Sequence, residues 1–132
     1  MKRIETLDKS LATQLKRLAP ESRNSLLNAV CAELCSSFPS LPVEIHESVK
    51  HIGAATKSTR TIAETAAQKL DEAYLALHDA DAECEAEFAI SRAAAAISFA
   101  LQTDGFEECL YESNFAFDDL EKLKAIVRKA IA

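Results

Sequence analysis

The sequence predicts a single all-α domain, and three observations lead there. Only two of its 132 residues are glycine and three are proline, and Pro20, Pro39 and Pro42 all fall in the first third. A sheet needs turn residues every few positions, yet beyond Pro42 only Gly53 and Gly105 interrupt the chain. Apolar residues also recur at spacings of three and four along most of the length, the period of a helix with one buried face. A chain of this length can bury a core without disulfides or metal, so residues 1–132 are expected to form one domain. Tryptophan is absent and aromatics are scarce, which leaves the core to Leu, Ile, Val, Ala and six Phe.

A first helix is expected over about Glu5 to Ala19, because Ile4, Leu7, Leu11, Leu15 and Leu18 share a face. Pro20 suits the first turn of a second helix, where its missing N–H costs nothing, and Leu27, Val30, Cys31, Leu34 and Phe38 form that helix's stripe. Phe38-Pro39-Ser40-Leu41-Pro42 is the clearest break. Pro42 then opens a short third helix with Ile45, Val49 and Ile52 inward and Gly53 as its stop. The polar stretch Thr56 to Thr61 reads either as a loop or as the weak junction of one long helix. Ile62, Ala66, Leu70, Ala73 and Leu77 mark a fourth helix down to about His78.

The fifth helix, Ala-rich and near 82–102, has Ala86, Ile90, Ala93, Ala94, Ile97 and Leu101 on one stripe. At 100° per residue, Phe88 and Phe99 project from nearly the opposite side. A helix apolar on two faces belongs at the centre of a bundle, and its alanines let neighbours approach closely. Gly105 separates it from a short amphipathic piece, Phe106 to Glu112. Ser113 and Asn114 suggest an irregular surface segment after that. Asp118 or Asp119 caps a last helix, with Leu120, Leu123, Ile126, Val127 and Ile131 on its apolar side and Lys122, Lys124, Arg128 and Lys129 towards its C-terminal half. The expected architecture is one compact bundle of five to seven helices.

Charge is distributed unevenly along this chain. Between Glu64 and Glu121 there are fifteen acidic residues and only two basic ones, Lys69 and Arg92, within a protein of net charge −6. Such an imbalance favours a basic partner and repels nucleic acid. Residues 79–81 are expected to form a loop corner from which several carboxylates fan out. The leading candidate surface is therefore acidic: Asp71, Glu72, Asp79, Asp81, Glu83, Glu85 and Glu87, continued by Asp104, Glu107, Glu108 and Glu112, with Phe106, Tyr111, Phe115 and Phe117 as aromatic anchors. Against this stands the ordinary reading of a charge run, a solvated surface that keeps the protein soluble.

No catalytic constellation or cofactor motif can be assembled, so a non-enzymatic protein without cofactor is expected. Asp79-Ala80-Asp81-Ala82-Glu83 imitates the alternation of a calcium loop but lacks its mid-loop Gly, and His46, His51 and His78 have no Glu-x-x-His spacing. Cys31 and Cys35 lie one helical turn apart, but no second close pair completes a zinc site. Core packing is the better reading for all four cysteines, and no metal is expected. Arg92 either emerges at the surface or, as the better expectation, pairs with a carboxylate inside the bundle. The opening MKRIETLDKS has no apolar stretch behind its basic residues, and no run is long enough to span a membrane. With free thiols, these features predict a cytoplasmic location.

Small, acidic, helical chains of this kind resemble bacterial immunity proteins in architecture and charge. That resemblance implies electrostatically steered occlusion of a basic protein partner, a toxin nuclease, with rapid and salt-sensitive association. The alternative from a different class is a helical oligomer or scaffold subunit. In it, Leu7, Leu11, Leu18, Leu123 and Val127 of the first and last helices would supply a partly exposed apolar seam.

Overall fold

The computed structural model describes residues 1–131, and among these every regular element is helical. Eight α-helices follow in order: α1 (Lys2–Glu5), α2 (Lys9–Lys16), α3 (Pro20–Ser37), α4 (Val43–Ser48), α5 (Lys57–Asp79), α6 (Glu85–Ala100), α7 (Phe106–Phe117) and α8 (Leu120–Ile131). A 3₁₀ turn, Val49–His51, prolongs α4.

The all-α expectation holds, but the number of helices exceeds five to seven, and the first break explains part of the difference. Ile4, Leu7, Leu11 and Leu15 keep a helical spacing, yet Asp8 is extended (φ −165°) and its Oδ1 accepts the Leu11 N–H at 2.8 Å. An aspartate at that position caps a new helix, so the expected single helix becomes α1 and α2. The core faces survive the interruption: Ile4, Leu11 and Leu15 are fully or almost fully buried.

Pro20 occupies the first turn of α3 as expected. The polar stretch from Thr56 resolves as the start of α5. Thr56 Oγ1 accepts the Thr59 N–H at 3.1 Å, a cap that contributes about 1 kcal/mol, and residues 57–61 form the first turns. The Ala-rich helix is shorter than 82–102 at both ends. Asp81 has a left-handed backbone (φ +54°), which keeps residues 80–84 out of the helix. At the other end the Leu101 and Gln102 N–H groups turn back to the carbonyls of Ser98 and Phe99.

The short piece expected over Phe106 to Glu112 instead runs on to Phe117. Ser113 and Asn114 are helical, and Ser113 is buried with its hydroxyl donating to the Cys109 carbonyl at 2.7 Å. Asp118 then takes the left-handed conformation (φ +51°) that ends α7, and Asp119 Oδ1 accepts the Lys122 N–H to open α8.

α6 lies between α5 and α7, the central position that its two apolar faces predict. Its Ala93, Ala94, Ala96 and Ala100 are buried, and these small side chains allow close approach on both flanks. α3 packs on the other side of α7 and on α8, around Leu26, Val30, Leu34, Leu110, Leu123 and Val127. Each such Leu or Ile removed from water contributes roughly 1.5–3 kcal/mol. The seam expected to be open on the first and last helices is closed: Leu11, Leu123 and Val127 are buried, while Leu7 and Leu18 are half-buried. α5 is the least covered of the long helices. In its 23 residues only Ala63 and Ala67 are buried, and Ile62 and Leu75 remain about half exposed.

Candidate functional site

The acidic residues form two groups that the fold treats differently. The first surrounds the tip of the α5–α6 hairpin. α5 ends at Asp79, the chain turns through Ala80 to Cys84, and α6 begins at Glu85. Asp79, Asp81, Glu83 and Glu85 are exposed and Glu87 is half-buried. Among the described residues, Asp81, Glu83, Glu85 and Glu87 pair with no cation, and Asp79 meets only His78 Nδ1, at 3.8 Å.

Local stability explains some of these acids and not others. Glu85 and Glu87 stand in the first turn of α6, where the helix dipole favours negative charge. Asp81 suits a left-handed turn, since Asp tolerates that conformation better than most residues. Asp79 sits at the C-terminal end of α5, where the dipole disfavours an anion. No turn or cap uses Glu83. Beside the tip, Tyr74 packs against Phe88 and His78, with ring centroids 5.1 and 5.8 Å away, and Leu75 is 46% exposed. The tip therefore combines unneutralised carboxylates with a small apolar shelf.

The second group lies on α7 and is neutralised within the chain. Glu107 Oε2 accepts the backbone N–H groups of Arg3 and Ile4 at 3.1 and 3.2 Å, tying down the start of α1. Glu108 pairs with the Arg3 guanidinium at 2.9 Å, and that guanidinium also lies 5.3 Å from the Tyr111 ring centroid. Glu112 is buried and receives Arg92 Nη1 at 2.9 Å. Arg92 Nη2 donates to Asp71 Oδ1 at 2.7 Å, and the buried Ser91 hydroxyl donates to the same oxygen at 3.1 Å. Arg92 is thus the internal ion-pair partner that its isolation in an Ala-rich helix suggests. It joins α5, α6 and α7.

Glu112 is consequently not on a presented face, and Glu107, Glu108 and Tyr111 are engaged with the N-terminal segment. Phe115 is half-buried with its ring edge-on to Tyr111 at 5.0 Å. Phe106 is buried under Arg23, and Phe117 is half-buried under Lys122. Sequence reading missed the partner Arg3 and assigned Asp71 to the presented acidic face, whereas Asp71 is held by Arg92. It located Arg92, whose lack of neighbouring basic residues was the signal.

The cysteines are free thiols. Cys31 and Cys109 are buried side by side where α3 meets α7, whereas Cys35 and Cys84 are half-buried. The Cys109 thiol hydrogen-bonded to it, together with burial, pushes the Cys31 thiol well up. Among the described residues, no three His, Cys, Asp or Glu side chains converge as metal ligands would, and no helix is long and apolar enough to cross a membrane. Neither protein-family models, nor characterised protein sequences, nor solved structures yield a match to this chain.

Proposed function

We propose that this protein is a non-enzymatic binding module that presents the acidic tip of the α5–α6 hairpin to a basic protein partner in the cytoplasm. The observation that carries the reading is the set of exposed carboxylates at Asp79, Asp81, Glu83 and Glu85, left among the described residues without a lysine or arginine partner in a fold that neutralises its α7 acids. Field from such a cluster accelerates encounter with a positive surface, and Leu75 with the Tyr74–Phe88 shelf supplies the apolar contact that slows release. Occlusion of a toxin nuclease's basic cleft, as by an immunity protein, is the form of this function most consistent with the charge. The partner-binding set contracts to Asp79, Asp81, Glu83, Glu85 and Glu87.

Capture from a lysate at low salt, with identification by mass spectrometry and release at high salt, tests the reading. A single basic protein should be recovered one-to-one by the native chain and not by a folded Glu83→Gln/Glu85→Gln/Glu87→Gln variant. Equal capture by that variant removes the tip from consideration.

A second reading, self-association, draws support from Val43 and Ile62, which are 64% and 50% exposed and border one shallow groove between α4 and α5. Under it, sedimentation would show concentration-dependent size that Ile62→Ser abolishes.

A further inference from the structure

At the opposite end of α5 from the acidic tip, the bundle encloses a half-open cavity of about 480 Å³. Its walls come from the first turn of α3, the entry to α5, the turn between α6 and α7, and the first residue of α7. Two guanidinium groups line it, Arg23 and Arg60, and among the described residues no acidic side chain does. Among the described residues neither arginine pairs with a carboxylate, in a chain that carries 21 acidic residues against 15 basic ones.

Both guanidiniums are held by backbone carbonyls. Arg23 Nε donates to the Leu18 carbonyl at 3.3 Å and Nη2 to Leu15 at 3.5 Å, while the group stacks 4.8 Å from the Phe106 ring centroid. Arg60 Nη1 donates to the Ala55 carbonyl at 2.8 Å. A guanidinium has five N–H donors, so each retains several after these bonds, in positions already fixed. Carbonyl partners orient a cation without cancelling its charge.

The backbone adds to the positive character. α3 and α7 begin at the cavity without a side-chain cap and contribute partial positive charge there, whereas the start of α5, which reaches it through Ala55 and Arg60, is capped by Thr56. α6 brings its C-terminal end to the same place, but the Ser98, Phe99 and Gln102 carbonyls are taken up by the N–H groups of Leu101, Gln102 and Gly105. Glu64, one turn beyond Arg60, is bonded to the Gln102 amide at 3.2 Å.

The chain's only two glycines shape this cavity. Gly53 lines it at φ +89°, and a Cβ there would stand 3.1 Å from Asn24 Nδ2. Gly105 precedes Phe106, and a Cβ on it would come 1.8 Å from the Phe99 carbonyl oxygen, so only glycine allows α7 to start so close to the end of α6. Leu18, Leu27 and Leu101 give the cavity an apolar floor, and Asn24, Gln102 and Thr103 offer neutral hydrogen-bonding groups.

We infer that this cavity binds a small organic oxyanion, a phosphate ester or carboxylate with a compact apolar body. Arg23 and Arg60 would grip its charged group, and the leucines would cover the body. This second site goes beyond the acidic tip and is independent of it: eighteen residues of α5 lie between Arg60 and Asp79, about 30 Å of helix.

Titration of the full chain with phenyl phosphate and with benzoate, followed by amide NMR, tests the inference. Saturable shifts at Gly53, Arg60 and Gly105 are expected with at least one of the two, and the one that binds decides between phosphate and carboxylate. Arg60→Met, which removes one carbonyl bond at the half-exposed start of α5, should keep the fold and weaken binding at least tenfold. Arg23→Lys, which keeps the charge but loses the fork, should weaken it less. Phenol should not bind. Absence of saturable shifts up to about 10 mM, where even weak ligands register, overturns the inference. So does unchanged affinity in folded Arg60→Met, or equal binding of phenol. The same shifts on raising protein concentration alone would identify the acidic tip of another copy as the occupant, and would equally overturn it.

Discussion

Glu83 and Glu112 carry the same charge within one acidic run, and the bundle handles them in opposite ways. Glu112 is 8% exposed and held by Arg92, which also binds Asp71. Glu83 stands in the open hairpin turn with no partner among the described residues. What separates them is where the few available cations were placed. Arg92 and Arg3 both serve α7, and neither serves the tip. An acidic run is therefore no single surface. Here it divides into an internal clamp, which holds helices together, and a tip whose carboxylates the fold leaves without a guanidinium or ammonium partner among the described residues.

Arg92→Met gives the largest contrast. It leaves Glu112 buried without its cation and should cost about 3 kcal/mol, because breaking a buried pair from one side strands the other charge. Adding Glu112→Gln should recover at least half of that loss. Urea denaturation measures both, and equal stability of the single and double variants would mean that Arg92 acts by packing alone. By contrast, Glu83→Gln/Glu85→Gln/Glu87→Gln should stay within about 0.5 kcal/mol per site of the parent, as surface changes do.

Asp81 sharpens the distinction within the tip. Its left-handed backbone predicts that Asp81→Val costs about 1 kcal/mol or more, while Asp81→Gly is neutral or stabilising. Asp81→Asn keeps the turn and removes the charge. If the tip binds a basic partner, Asn should reduce capture although stability is unchanged. Loss of stability without loss of capture would make Asp81 a turn residue only.

Acid titration reads two ion-paired carboxylates of the N-terminal segment, Glu5 and Asp8. Asp8 is held below its ordinary value of 3.8, first by the Leu11 N–H that it accepts and then by Lys124 at 3.0 Å. Glu5 is lowered by its contact with Lys16 at 2.9 Å. A carboxylate with a depressed folded-state pKa contributes stability that is complete above its unfolded value and disappears as pH falls through the folded one. Stability should therefore decline below about pH 4. Asp8→Asn keeps a capping oxygen for Leu11 but has no charge to lose, so its acid limb should be flatter. An unchanged slope would assign acid sensitivity to other groups.

How much of this was legible in the sequence follows from the range of each interaction. The helices, the central place of the Ala-rich segment and the corner after Asp79 rest on local period and turn chemistry, and these can be read along the chain. The break at Asp8 was hidden because Ile4, Leu7 and Leu11 keep their spacing across it. Ser113 and Asn114 looked like loop residues because their polarity is visible, whereas the α3 and α8 surfaces that cover α7 are not. The acidic run looked uniform for the same reason. Arg3 lies 104 residues from Glu107, and Arg92 is 20 from Glu112, so no local pattern announces either partnership. The arginine cavity is further still from view, since Arg23, Arg60 and Phe106 belong to three separate helix starts.

The thiols report the same division through their reactivity. Cys84 opens α6 at the acidic tip, and Cys109 lies within α7 beside Cys31. Reaction with a thiol reagent requires thiolate and access. Cys84 is half-buried in the turn and should be the first to react in the folded protein. Cys31 is buried and its thiol is pushed up, so it and Cys109 should react only through opening of the α3–α7 contact. If the Arg92–Glu112 clamp secures that contact, Arg92→Met should speed labelling of Cys109 by about a hundredfold, the factor corresponding to about 3 kcal/mol. The tip variant should leave Cys109 labelling unchanged. Mass spectrometry of quenched samples assigns each site. Equal acceleration at Cys84 and Cys109 would show that the clamp and the tip open as one unit, and the division drawn here would describe charge alone.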